Sequence, residues 1–122
     1  MMRAFNLAAV LVTGIPFLVV TPTAHAAETV TYEVISSEIA TADVEYGDLS
    51  GRIARTQVAL PWRGNATVGN PFTKDAELQV NWQSKPAYWV TLRVYFRGSL
   101  LCQKILDEGN GTCYGSWSHR PM

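Results

Sequence analysis

The sequence predicts an all-β protein, a small sandwich of antiparallel strands, from three observations. Apolar residues recur with period two, and no long stretch carries a 3.6-residue pattern. Clusters of glycine, proline, asparagine and aspartate interrupt this alternation at intervals of roughly eight to twelve residues, the spacing of short strands in a sandwich. Two cysteines, Cys102 and Cys113, lie in the part of the chain that an export signal would deliver to an oxidising compartment.

That signal comes first. Met1-Met2-Arg3 supplies a positive start and Ala4 to Val20 is almost wholly apolar. Ala24-His25-Ala26 then puts small residues where a signal peptidase reads, so cleavage is expected before Ala27. Residues 1–26 form the signal peptide on this reading, and 27–122 a single domain. The alternative is an uncleaved anchor through residues 4–20. That run is shorter than the about 20 residues a spanning helix needs, and Pro16 would leave a carbonyl unpaired in lipid. No cysteine lies near the junction and no paired arginines precede it, so neither a lipoprotein nor twin-arginine export is indicated.

The strands follow in order. Thr29 to Ile35 sets Val30, Tyr32 and Val34 on one face, and Ala42, Val44 and Tyr46 repeat the pattern after a polar break. Gly47 to Gly51 is a turn cluster, and Gln57 to Trp62 resumes the alternation; Pro61, without a ladder donor, marks an edge or a bulge. Arg63 to Thr73 holds glycines, asparagines and Pro71 and is expected to be loop-rich, with at most one short strand near Ala66 to Val68. Ala76, Leu78, Val80 and Trp82 alternate strictly with polar residues, the pattern of a half-buried antiparallel strand. Tyr88, Val90, Leu92, Val94 and Phe96 then form one face of the surest element in the chain. Leu100 to Leu106, a turn over Asp107 to Gly111, and Cys113 to Trp117 read as a closing hairpin. The sum is about six or seven strands in an immunoglobulin-like sandwich, with a small barrel as the alternative.

An even cysteine count in an exported chain favours a Cys102–Cys113 disulfide. Its geometry stays open, because a tight turn on Asp107-Glu108 would set the two cysteines opposite each other whereas a loop using Gly109 as its left-handed residue shifts the pairing by one. A bulge would restore it.

Ten acidic and ten basic side chains give a formal net charge of +0, which argues against a nucleic-acid binder, since that would need a basic surface. Their distribution is uneven: Glu28, Glu33, Glu38, Asp43, Glu45 and Asp48 come without an intervening cation, while Lys85, Arg93, Arg97 and Lys104 form a basic stretch. Neighbouring strands of opposite sign are expected to pair across a sheet.

Catalytic equipment is not legible. His25 leaves with the leader and His119 lies near the C-terminal end, so no serine or cysteine nucleophile has an evident partner base. No histidine, cysteine or carboxylate spacing resembles a zinc or calcium site, and no cofactor motif is present. The best physical hint of binding is a candidate face of Trp89, Arg93, Tyr95 and Arg97, which alternate opposite the apolar stripe of the longest strand. Aromatic planes beside guanidinium groups suit a sugar, a lipid head group or a protein partner. The plainer reading has Trp89 and Tyr95 finishing the rim of the core.

Several local strings carry a resemblance. Thr31-Tyr32-Glu33-Val34, Tyr46-Gly47-Asp48, Leu60-Pro61-Trp62, and Cys102 followed by Ile105, Asp107 and Cys113 occur in the order seen in the extracytoplasmic domain of the mycobacterial MmpS membrane proteins. The chain resembles that family over most of residues 29–113, as a divergent relative that Ala24-His25-Ala26 would release by secretion. The resemblance implies a β-sandwich of the mycobacterial cell envelope, an accessory to MmpL transporters that export siderophores or lipids. Two functions are therefore expected. One is a non-catalytic, membrane-associated accessory domain whose partner is an MmpL-type transporter or another envelope protein. The other is a freely secreted sandwich that binds a sugar, a lipid or a host protein through the aromatic and arginine face.

Overall fold

The structure, a computed structural model, describes residues 27–116. Residues 1–26, with Ala24 and Ala26 of the expected cleavage site, and residues 117–122, with Trp117 and His119, lie outside the described residues. The architecture is the expected β-sandwich, and among the described residues it has eight strands. These are β1 (Glu28–Ile35), β2 (Thr41–Asp48), β3 (Gly51–Ala59), β4 (Trp62–Val68), β5 (Glu77–Asn81), β6 (Val90–Phe96), β7 (Ser99–Leu106) and β8 (Asn110–Tyr114). Among the described residues one 3-10 turn, Lys74–Ala76, precedes β5, with the Thr73 hydroxyl accepting from the Asp75 N–H as its cap.

Two four-stranded antiparallel sheets result, one ordered β4-β1-β6-β7 and the other β3-β2-β5-β8. Period two is the cause. Val30, Tyr32 and Val34 of β1, Leu78 and Val80 of β5, and Val90, Leu92 and Val94 of β6 are all fully buried between the sheets, as the alternation predicts. Trp82 continues the β5 stripe at 8% exposure.

Three expectations need correction. The run Gln57 to Trp62 is not one strand: β3, Gly51–Ala59, ends before Leu60-Pro61, and Trp62 opens β4. Residues 62–68 are not loop but the seven-residue edge strand β4, which pairs with β1 along its length. Gly64, read as a breaker, is where the Trp62 ring lies; a Cβ there would stand 2.7 Å from that ring. The closing hairpin also does not form. Strand β7 pairs with β6 in one sheet and β8 with β5 in the other. The Asp107-Glu108-Gly109 connection is a corner between sheets, with Gly109 at φ 89° as its left-handed residue. The register question at the cysteines therefore dissolves. Cys102 and Cys113 are disulfide-bonded across the two sheets, with Cα atoms 5.8 Å apart, and both are buried. Leu60-Pro61 turns the corner between β3 and β4, so the covalent chain crosses between the sheets at both lateral margins.

One end of the core is an aromatic stack. Tyr32 of β1 packs on Tyr46 of β2 at 5.1 Å between ring centroids, and Tyr46 packs on Trp62 of β4 at 5.6 Å. The Tyr32 hydroxyl donates to the Gly47 carbonyl at 2.8 Å, which satisfies a phenol that has no exposure. Gly47 has to be glycine, since a Cβ there would run into the Asp75 carbonyl. Three of the strings that carry the family resemblance thus meet in space, and they meet in the core.

Burial pushes the Tyr32 phenol well above its ordinary pKa of 10.0. The unfolded chain gives up this proton near pH 10 while the folded chain holds it, so above that point the unfolded state binds fewer protons and stability falls as pH rises. Denaturant titrations from neutral to strongly alkaline pH check this: the alkaline loss shrinks in Tyr32→Phe, which costs about 1 kcal/mol at neutral pH through the missing hydrogen bond.

Candidate functional site

The outer face of the first sheet is organised around Glu33. The pairing register sets this β1 residue opposite Arg63 on β4 and Arg93 on β6. Arg93 Nη1 lies 3.2 Å from Glu33 Oε1, Arg63 Nε lies 3.6 Å from Glu33 Oε2, and the Tyr95 hydroxyl donates to Glu33 Oε1 at 3.3 Å. Arg93 Nε also donates to Gln103 on β7 at 2.7 Å, so one network runs across all four strands. The Arg63 guanidinium sits 5.8 Å from the centre of the Tyr95 ring.

Of the four residues singled out from the sequence, the structure brings only Arg93 and Tyr95 together, and both spend their polar groups on Glu33. Trp89 stands before β6, 47% exposed, while Arg97 lies beyond its other end in a turn at φ 52° and pairs with Glu28 at 3.3 Å. Eight residues of extended chain put Trp89 and Arg97 roughly 25 Å apart, too far for one small ligand. Glu33 is the residue that reading β6 alone passes over. The opposite signs of the acidic and basic stretches did signal it, and the Glu33–Arg93 and Glu28–Arg97 pairs are the cross-strand pairing they imply. Exposed pairs of this kind stabilise by about 1 kcal/mol or less, so the face reads as a brace.

A second feature is concave. The chain enters the sandwich at Ala27 and is last described at Ser116, both beside the same end of the sheets. At the opposite end, the segment joining β1 to β2, the start of β2 and the segment after β5 enclose an open cleft of about 510 Å³. Glu38, Asp43, Gln57, Asn81, Trp82 and Tyr88 line it, with two carboxylates and no basic side chain in its wall. Lys85 lies on the rim, its ammonium 5.7 Å from the Tyr88 ring centre.

The wall is shaped by irregular backbone. The β2–β3 register shifts between Ala42 and Val44, and Gln57, in the left-handed region at φ 54°, is the displaced residue. Its N–H, turned off the ladder, donates to Asp43 Oδ1 at 2.8 Å. Ala87, next to Tyr88, is also left-handed at φ 65°. A non-glycine residue in this region costs about 1 kcal/mol or more, and such outliers gather at ligand sites. Trp82, a lining residue that belongs to the core, has a buried indole N–H without a hydrogen-bond partner. The sequence placed Trp82 in the core but gave no sign of this cleft, because its walls come from segments that are distant in the chain.

The disulfide leaves no free cysteine among the described residues and fits an oxidising, extracytoplasmic environment. Among the described residues no helix is long and apolar enough to cross a membrane. Neither the protein-family models nor the curated proteins contain a match to this chain.

Proposed function

We propose that this chain is a non-catalytic, exported binding domain of a mycobacterial cell envelope, acting as MmpS proteins do beside an MmpL-type transporter of siderophores or lipids. The observation that carries this reading is the spatial convergence of the resembling strings: Tyr32, Tyr46, Gly47 and Trp62 form one packing unit, and the Cys102–Cys113 bridge pins the opposite margin. Shared residues that build one core support descent from a common sandwich better than scattered matches would. Function comes with that descent only by analogy, so the test has to address the partner.

Placement of the termini supports an accessory role. A leader retained as an anchor would join the domain at Ala27, at the end of the sheets opposite the cleft, and the loops around the cleft would then point away from the bilayer. Full-length protein carrying a C-terminal tag, cross-linked in intact cells of its host and purified from solubilised membranes, is expected to bring down an MmpL-type transporter. Recovery from the culture medium with no transporter attached contradicts the accessory role and favours the freely secreted binding domain.

A further inference from the structure

We propose that the cleft lined by Asp43, Gln57, Asn81, Trp82 and Tyr88 is a binding site for a neutral saccharide of one or two rings. The site is separate from the aromatic and arginine face, and it does not depend on a transporter partner.

Three observations lead there. The cleft's volume of about 510 Å³ falls in the range of about 300–1,000 Å³ typical of small-ligand sites. Its polar groups suit hydroxyls: the Glu38 and Asp43 carboxylates accept from them, and the side-chain amides of Gln57 and Asn81 both donate and accept, as vicinal hydroxyl pairs require. Tyr88, half-buried in the wall, offers a ring for the apolar face of a pyranose.

Charge narrows the class. Two carboxylates with no basic side chain in the wall disfavour phosphates, sulfates and fatty-acid head groups, so anionic lipids and nucleotides do not fit. A cationic ligand such as a polyamine meets the charge requirement, but the Lys85 ammonium already stands 5.7 Å from the centre of the Tyr88 ring and opposes a second cation there. Strained backbone at Gln57 and Ala87 holds the wall in place before the ligand arrives, and preorganisation lowers the entropic cost of binding.

The test uses the full chain as its host exports it, isotope-labelled and titrated by NMR with maltose, cellobiose and mannobiose up to tens of millimolar. Saturable shifts are expected for at least one disaccharide, centred on Asp43, Gln57, Asn81 and Tyr88, and unchanged between low and high salt. Asn81→Ala and Tyr88→Ala, both at solvent-accessible positions, should each weaken binding about tenfold while leaving the remaining spectrum folded, and Trp89→Ala should leave affinity unchanged. Three results would overturn the proposal: no saturable shift with any of the three sugars, shifts that map to the Glu33 face, or preferential binding of spermidine that disappears at high salt. None of these bears on the transporter, whose capture tests the accessory role separately.

Discussion

Replacing Cys102 and Cys113 together with alanine is expected to lower stability by about 3 kcal/mol, the loop-closure entropy for a bridge between residues separated by 11 positions. A domain of this size would then melt roughly 15 °C lower. The bridge joins the two margin strands β7 and β8, which have no ladder between them, so its loss also frees one side of the sandwich to open. Urea denaturation of the double variant, beside the parent with and without reductant, measures this. Reduced parent and double variant should unfold at nearly the same midpoint, well below that of the oxidised parent. Equal midpoints for all three would mean that the bridge contributes no stability.

Tyr32→Ala is the other large effect, at about 4 kcal/mol. The substitution removes a ring with no exposure, leaves Tyr46 packed on Trp62 alone of its two ring neighbours and leaves the buried Gly47 carbonyl without its donor. Cavity and unpaired acceptor add to the lost transfer free energy, which is why the cost exceeds that of an ordinary leucine at the rim. Ile105→Ala, at a side chain 55% exposed, is the matching control and should change stability by less than about 0.5 kcal/mol. Denaturant midpoints of the two variants check the contrast directly.

Most of the fold was legible because period two is a strong signal where one face is buried. Leu78, Val80, Val90, Leu92 and Val94 were readable as core from their alternation alone, and all are fully buried. Strand β4 was not, since Gly64 and Asn65 read locally as breakers, and only the tertiary position of the Trp62 ring explains why a glycine belongs there. The β7–β8 corner failed for a related reason. A glycine-bearing turn between two apolar runs carries the same local signature whether the second run pairs with the first or moves to the facing sheet, and the free edge of β5 decides between them.

The candidate site was less legible than the fold. The disulfide followed from cysteine count and compartment, and the structure shows it. The aromatic and arginine face was read from a single strand; the acidic stretch pointed to Glu33 but nothing pointed to Arg63, and these partners turn it from a vacant surface into a braced one. The cleft depends on a bulge at Gln57 and on loops far apart in sequence. Periodicity carries no information about either.

The central claim is that this is an exported, disulfide-locked domain. Its most direct test is the intact mass of the endogenous protein from fractionated host cells, measured with and without reductant. A mass beginning at Ala27 in the envelope or medium, or a full-length mass in the membrane fraction, is predicted, in either case rising by about two protons on reduction. A full-length protein in the cytoplasmic fraction, with a mass that reductant does not change, would contradict it.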